Sequence, residues 1–133
     1  MVCMSIQVDT VERIDIVDVT SDVTEVIPAG FDRGVCTTFV PHTTAGVIVN
    51  EHENRLLSDI ERALERLVPR EEAYDHNEID DNADAHLRAM LLGESISIPV
   101  LDGALALGTW QSILFVECDG PRTRSLEVMA TPA

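Results

Sequence analysis

The sequence predicts an α+β domain with a mainly antiparallel sheet, and two observations carry that prediction. About eight short runs of β-type residues spread from Ser5 to Ala130, whereas three segments repeat at helical spacing and sit toward the middle of the chain. Strands that outnumber and flank a group of helices, without strand-helix alternation, favour antiparallel pairing over a parallel wind. The length of 133 residues matches one domain, residues 1–133, with a single core.

Taken in order, "SIQVDTV" and "RIDIVDVT" alternate apolar and polar residues and are expected as neighbouring strands. "DVTEVIPAG" offers Asp22 as a helix cap with Glu25 three residues later, and Pro28 and Gly30 stop the helix. "GVCTTFVP" and "AGVIVN" follow as strands on either side of His42, Thr43 and Thr44. Leu56, Leu57, Ile60, Ala63, Leu64 and Leu67 then form one apolar stripe, which predicts a helix over 53–68 ended by Pro69. Residues 69–81 lack a period and read as a loop. Asn82 is placed to cap a helix over "ADAHLRAMLL", and Gly93 to close it. "SISIPV", "GALAL", "TWQSILFVECD" and "RSLEVMA" complete the strands, with turns at Asp102-Gly103 and Asp119-Gly120-Pro121.

Charge excludes several function classes. The chain has 24 acidic residues against nine basic ones, all arginine, for a net charge of −15. Such a surface repels nucleic acid and anionic membrane. Carboxylates without lysine suit molar salt, where the Debye length is about 3 Å, so a halophilic source is expected. No run approaches the roughly 20 apolar residues of a membrane span. The acidic residues Asp9, Glu12 and Asp15 break any secretion-signal pattern, so a cytoplasmic location is expected. Cys3, Cys36 and Cys118 are odd in number and widely spaced, which fits structural thiols better than disulfides or a cysteine metal site.

Three histidines fall in polar interruptions: His42 between strands, His76 in the long loop and His86 on the third helix. Three imidazoles with an open position would make a catalytic type of metal site, but spacings of 34 and 10 residues match no self-sufficient motif. The alternative is one buried, hydrogen-bonded histidine and two exposed ones; His52 reads as surface. Glu51 ends a strand, and Glu117 lies in the apolar strand "ILFVECD", where an unpaired charge is costly. Arg122 and Arg124 are candidate partners for Glu117 or for an anionic ligand, since a guanidinium forks onto carboxylate or phosphate. Thr43, Thr44, Gly108 and Thr109 offer donors to an oxyanion. There is no P-loop, dinucleotide fingerprint, serine nucleophile elbow, C-x-x-C or H-E-x-x-H.

"PHTTAGVIVNE", "NADAHLRAMLLG" and "LGTWQSILFVECDGPRTR", in this order, resemble the YjbQ family from about residue 5 to 130. The resemblance implies a compact α+β fold with a β-sandwich-like core, a homotrimer with sites near subunit boundaries, and a secondary thiamine-phosphate synthase activity joining hydroxymethylpyrimidine diphosphate to thiazole phosphate. It also implies a divalent metal, zinc by the donor type, on His42, His76 and His86. In that reading Glu51 or Glu117 acts as base or orienter, Arg122 meets a phosphate, and Thr43, Thr44, Thr109 and Arg124 help to hold the substrate. The expected partner is a small phosphorylated metabolite. A metal-dependent hydrolase or lyase on another anionic metabolite, and a non-enzymatic ligand-binding trimer, share the same residues.

Overall fold

The computed structural model describes Met1–Ala133 and contains eight strands and three α-helices. The strands are β1 (Val2–Asp9), β2 (Asp15–Asp18), β3 (Gly34–Phe39), β4 (Ala45–Asn50), β5 (Ser95–Leu101), β6 (Ala104–Leu105), β7 (Ser112–Glu117) and β8 (Thr123–Pro132). The helices are α1 (Thr20–Val26), α2 (Asn54–Leu67) and α3 (Ala83–Leu92), with a 3-10 turn at Asp75–Glu78 inside the long loop. No helix is long and apolar enough to cross a membrane.

All strand pairs are antiparallel and fall into two sheets, a five-stranded one in the order β1-β8-β3-β5-β6 and a three-stranded one in the order β2-β7-β4. The first two strands are therefore not neighbours, as their shared alternation suggested. β1 runs the length of β8, while β2 pairs with β7, because their apolar faces are claimed by different sheets. Likewise β3 and β4 belong to different sheets, so the His42 segment is a crossing between layers rather than a hairpin turn.

One core of 14 buried residues joins the layers. Cys36, Ile98, Leu126 and Val128 from the large sheet meet Val47, Ile113 and Phe115 from the small one, and α1 adds Val23 and Val26. The other face of the small sheet is closed by α2 and α3, where Leu64 and Ala85 pack on Val116 and Cys118. This double coverage explains why β7 reads as continuously apolar: both of its faces are buried.

Helix starts differ in detail from expectation. Asp18, not Asp22, accepts the Thr20 N–H at 2.9 Å at the head of α1. Glu53 caps α2 by accepting from Arg55 N–H and Leu56 N–H. Asn82 occupies the cap position of α3 but spends its amide elsewhere, and Asn77 Oδ1 accepts the Ala83 N–H at 3.0 Å. Gly93 closes α3 with φ +94, as its lack of a Cβ allows, and its N–H reaches Ala89 C=O at 3.0 Å. Asp102 and Gly103, both at positive φ, form the tight turn from β5 to β6.

Candidate functional site

The polar residues of interest gather at one end of the sandwich, where β7 and β8 approach the Asp119–Arg122 turn. Glu117 ends β7 on the face shared with Ile113 and Phe115, so its carboxylate enters the inter-sheet core and is fully buried. It accepts Arg124 Nε at 2.8 Å and also pairs with Arg124 Nη2. Thr10 Oγ1 at 2.8 Å and Asp119 N–H at 3.0 Å complete its shell. Burial by itself would raise the Glu117 pKa, but bonds from Arg124, Asp119 N–H and Thr10 outweigh it and hold the carboxyl below its ordinary range. Arg124 Nη2 also donates to Thr44 Oγ1 at 2.7 Å, which ties β8 to the start of β4.

A second, more exposed layer surrounds Asp119. Its carboxylate receives Arg13 Nη1 at 3.1 Å, Arg122 Nη2 at 3.0 Å and Asn82 Nδ2 at 2.9 Å. Burial again opposes ionisation, and the Asn82 and Arg122 bonds with the Arg122 and Arg13 charges reverse it, leaving the pKa lowered. Arg122 Nε also donates to Asp119 C=O at 2.9 Å, so this half-exposed guanidinium is held at two points. Arg13 extends to Asp84, which in turn pairs with the buried Arg88 on the same helix at 3.0 Å. Gly120 has no room for a side chain: a Cβ there would lie 2.1 Å from Glu12 C=O and 2.8 Å from Glu117 Cγ. Four of the nine arginines thus meet three carboxylates here, leaving five arginines against 21 acidic residues elsewhere.

His42 finishes the ladder that β3 abandons. The β3–β8 register would set Pro41 opposite Ser125, and a proline there has no N–H to offer. The chain turns away, and His42 Nε2 lies 3.0 Å from Ser125 N and 3.2 Å from Ser125 O. The shorter contact, in which Ser125 N–H donates to Nε2, puts the ring proton on Nδ1. Desolvation and the Arg124 charge lower the His42 pKa, against smaller opposing effects from Ser125, Glu117 and Glu127. The ring borders an open hollow of about 400 Å³.

His76 and His86 form a separate pair, edge to face with ring centroids 4.7 Å apart. His76 Nε2 and Asn82 Oδ1 are both buried without a hydrogen-bond partner. A His76 nitrogen without a partner beside a second imidazole fits a metal ligand better than an apolar core. The Nε2 lone pair of His42 is engaged separately, by Ser125 N–H. Within one chain no three His, Cys, Asp or Glu side chains form a metal-holding group.

The sequence matches a model of the UPF0047 protein YjbQ-like family over residues 4–132. The chain belongs to the YjbQ family. It is 50% identical to a UPF0047 protein of Methanothermobacter thermautotrophicus over 120 residues, covering 90% of this chain and 84% of that one. It is 46% identical to a UPF0047 protein of Archaeoglobus fulgidus over 127 residues, covering 96% and 99%. Among solved structures, a hypothetical protein of Aeropyrum pernix K1 superposes with a TM-score of 0.96 at 43% identity, each chain fully covered. A YbjQ-like protein of unknown function from Sulfolobus solfataricus P2 gives 0.95 at 39% identity, covering 98% and 96%.

The remaining expected residues disperse in this YjbQ-family chain. β4 runs from Ala45, opposite Glu117, to Asn50, opposite Ser112, so Glu51 lies at the far end of the strand, on the order of 23 Å from Thr44 at strand rise. Thr109, exposed in the turn before β7, belongs to that same far end. Neither shares the Glu117 environment, because a strand separates in space what its sequence keeps together. Thr43 is exposed beside the buried Thr44. The residues missed were Thr10, Arg13, Asp84 and Asp119. Of these only Asp84 carried a local signal, its four-residue spacing from Arg88 on a helix. The largest hollow, about 640 Å³, is lined by Glu12, Glu61, Glu65 and Glu71 with arginines between them and touches none of the expected site residues. Burial, then the neighbouring carboxylates, raise the Glu61 pKa there, an environment hostile to anions.

Proposed function

We propose that the protein is a metal-assisted enzyme on small phosphorylated metabolites, with joining of hydroxymethylpyrimidine diphosphate to thiazole phosphate as the reaction to test. The observation that carries this reading is the arginine-rich end of a chain whose net charge is −15. An anion approaching such a protein is repelled almost everywhere, and a guanidinium fixed by Asp119 gives it a directed fork. Arg122 binds a phosphate; Asp119 and Asn82 orient it. Glu117 serves as the orienter of Arg124, since its oxygens are fully engaged and shut off from substrate.

In the synthase reaction the C–O bond to pyrophosphate breaks, a stabilised pyrimidine cation forms, and the thiazole nitrogen attacks to make the C–N bond. The protein's share is to hold the halves in line and to stabilise departing charge. His76 and His86 would hold the divalent ion, zinc by donor type. A bound ion of this kind supplies Lewis-acid stabilisation of phosphate oxygens.

The homotrimer is part of the proposal. On the outer face of the large sheet, the outward positions of Cys3–Gln7, Val35–Phe39, Ser95–Leu101 and Thr123–Thr131 carry one charge, Glu127. Val35, Phe39, Leu101 and Met129 are 42–48% exposed there. A second copy, itself strongly acidic, docks with least repulsion on such a face. Sedimentation of Phe39→Asp, expected to be monomeric, tests it; unchanged assembly refutes this face.

The activity test is turnover of the two thiamine halves in molar KCl with zinc or magnesium. Product from the wild type and its loss in Arg122→Ala support the reading. Absence of product in the wild type refutes it and turns attention to hydrolysis of other phosphorylated metabolites.

A further inference from the structure

Arg13 bridges two carboxylates that stand on different elements, Asp84 on α3 and Asp119 in the turn after β7. Backbone bonds set it there. Gly120 N–H donates to Arg13 C=O and Thr10 N–H to Arg122 C=O, both at 2.9 Å, so the loop from β1 to β2 lies against the 119–122 turn. The side chain is then fixed at both ends: Nη2 reaches Asp84 Oδ1 at 3.0 Å, and Nη1 reaches Asp119 Oδ1 at 3.1 Å. Asp84 is itself anchored, because Arg88 Nη1 holds its other oxygen at 3.0 Å. Arg88 in turn donates Nε and Nη2 to Val68 C=O at the end of α2.

The consequence falls on Asp119. Its Oδ1 belongs to Arg13, and its Oδ2 is shared by Arg122 Nη2 at 3.0 Å and Asn82 Nδ2 at 2.9 Å. Arg122 thus has one oxygen of this carboxylate rather than two. Its Nε goes to Asp119 C=O, its Nη1 makes no hydrogen bond, and its side chain is 51% exposed. A guanidinium that meets a carboxylate without a competitor forks onto both oxygens. Charge points the same way, because Arg13, Arg88 and Arg122 outnumber Asp84 and Asp119 by one. Arg88 faces the negative end of α2, so the unmatched positive charge lies at Arg122.

We infer that Arg13 is a positioning residue for Arg122: it occupies Asp119 Oδ1, stops Arg122 from closing as a fork onto that carboxylate, and so keeps Arg122 Nη1 open to a phosphate oxygen. The inference rests on the proposed role of Arg122 and deepens it, since a second arginine, one the ligand does not touch, sets whether the first is free. Without Arg13, Asp84 still has Arg88 and Asp119 still has Arg122, so neither carboxylate is stranded. What changes is the direction of Arg122, which turns inward onto both oxygens of Asp119.

The test is site-resolved labelling of arginines by phenylglyoxal, read by peptide mass spectrometry in molar KCl, together with calorimetric titration of inorganic phosphate. Variants are Arg13→Gln, which removes the guanidinium, and Arg13→Lys, whose single ammonium lacks the fork that spans Asp84 and Asp119. In Arg13→Gln, labelling of Arg122 should slow at least about threefold as its free nitrogen closes on Asp119, and phosphate should bind at least about threefold more weakly. Arg13→Lys should fall between Arg13→Gln and wild type. A merely structural role has the opposite sign, since a loosened turn exposes Arg122 and speeds its labelling. Labelling of Arg122 in Arg13→Gln at the wild-type rate or faster would overturn the inference, as would a phosphate affinity equal to that of a wild type that binds. If Arg13→Gln unfolds, Arg13→Lys carries the same comparison with the same sign. A wild type that binds no phosphate, while Arg122 labelling still slows in Arg13→Gln, counts against the proposed function and leaves the hold of Arg13 on Asp119 standing.

Discussion

Truncating Glu117 to alanine strands a guanidinium that is 7% exposed, and the lost stability should be about 3–5 kcal/mol, the range for removing one partner of a buried pair. The structure argues for the upper half of that range. Four donors converge on the carboxylate, two from Arg124, one from Thr10 and one from the Asp119 backbone, and alanine leaves all of them without this acceptor. Urea unfolding followed by circular dichroism at fixed molar KCl measures it. A paired replacement, Glu117→Leu with Arg124→Met, should recover most of the loss, because apolar groups of similar size remove the stranded charge as well as its partner. The sign of the pH dependence follows from the lowered pKa values of Glu117 and Asp119. The unfolded chain binds more protons than the folded one near the ordinary carboxylate range. Their contribution is therefore complete above about pH 4.3 and is lost as pH falls through the folded-state values. Glu117→Gln should lack its share of this acid sensitivity. A cost below about 1 kcal/mol for alanine, or an acid profile in Glu117→Gln identical to wild type, would refute the view that this pair holds the site end of the sandwich together.

Asn77→Ala removes the acceptor for the Ala83 N–H and should destabilise the start of α3 by about 1 kcal/mol, seen as faster amide exchange at residues 83–85. Maleimide labelling of the folded Phe39→Asp monomer should reach Cys3 alone among the three thiols, because Cys36 and Cys118 are buried and burial lifts the Cys118 pKa to about 12. Transfer from molar to low KCl should lower the melting temperature steadily, since 21 acidic residues lie outside the arginine-rich cluster and lose their screening; a melting temperature independent of salt counts against the halophilic expectation.

What was legible in the sequence follows the range over which each interaction acts. Strands and helices are local, and period-two alternation in β8 or the apolar stripe on α2 marks them without knowledge of the rest of the chain. Sheet partners are not local: β1 and β2 carry the same alternation, and only the long-range register with β8 and β7 assigns them to different layers. The site divides in the same way. Glu117 announced itself as a charge in an apolar strand, and its partner Arg124, seven residues on, was within reach of the same reasoning. Thr10 was not, because its hydroxyl meets Glu117 across 107 residues of chain, and a threonine at the end of an edge strand has no sequence mark. The histidines show the same long-range dependence. Three imidazoles in polar interruptions suggested one centre, yet His42 was claimed by a backbone N–H that Pro41 could not serve, while His76 and His86 met through the packing of the 3-10 turn on α3. A proline that ends a strand thus leaves a backbone donor to the histidine beside it, and that consequence exists only once β3 and β8 are side by side.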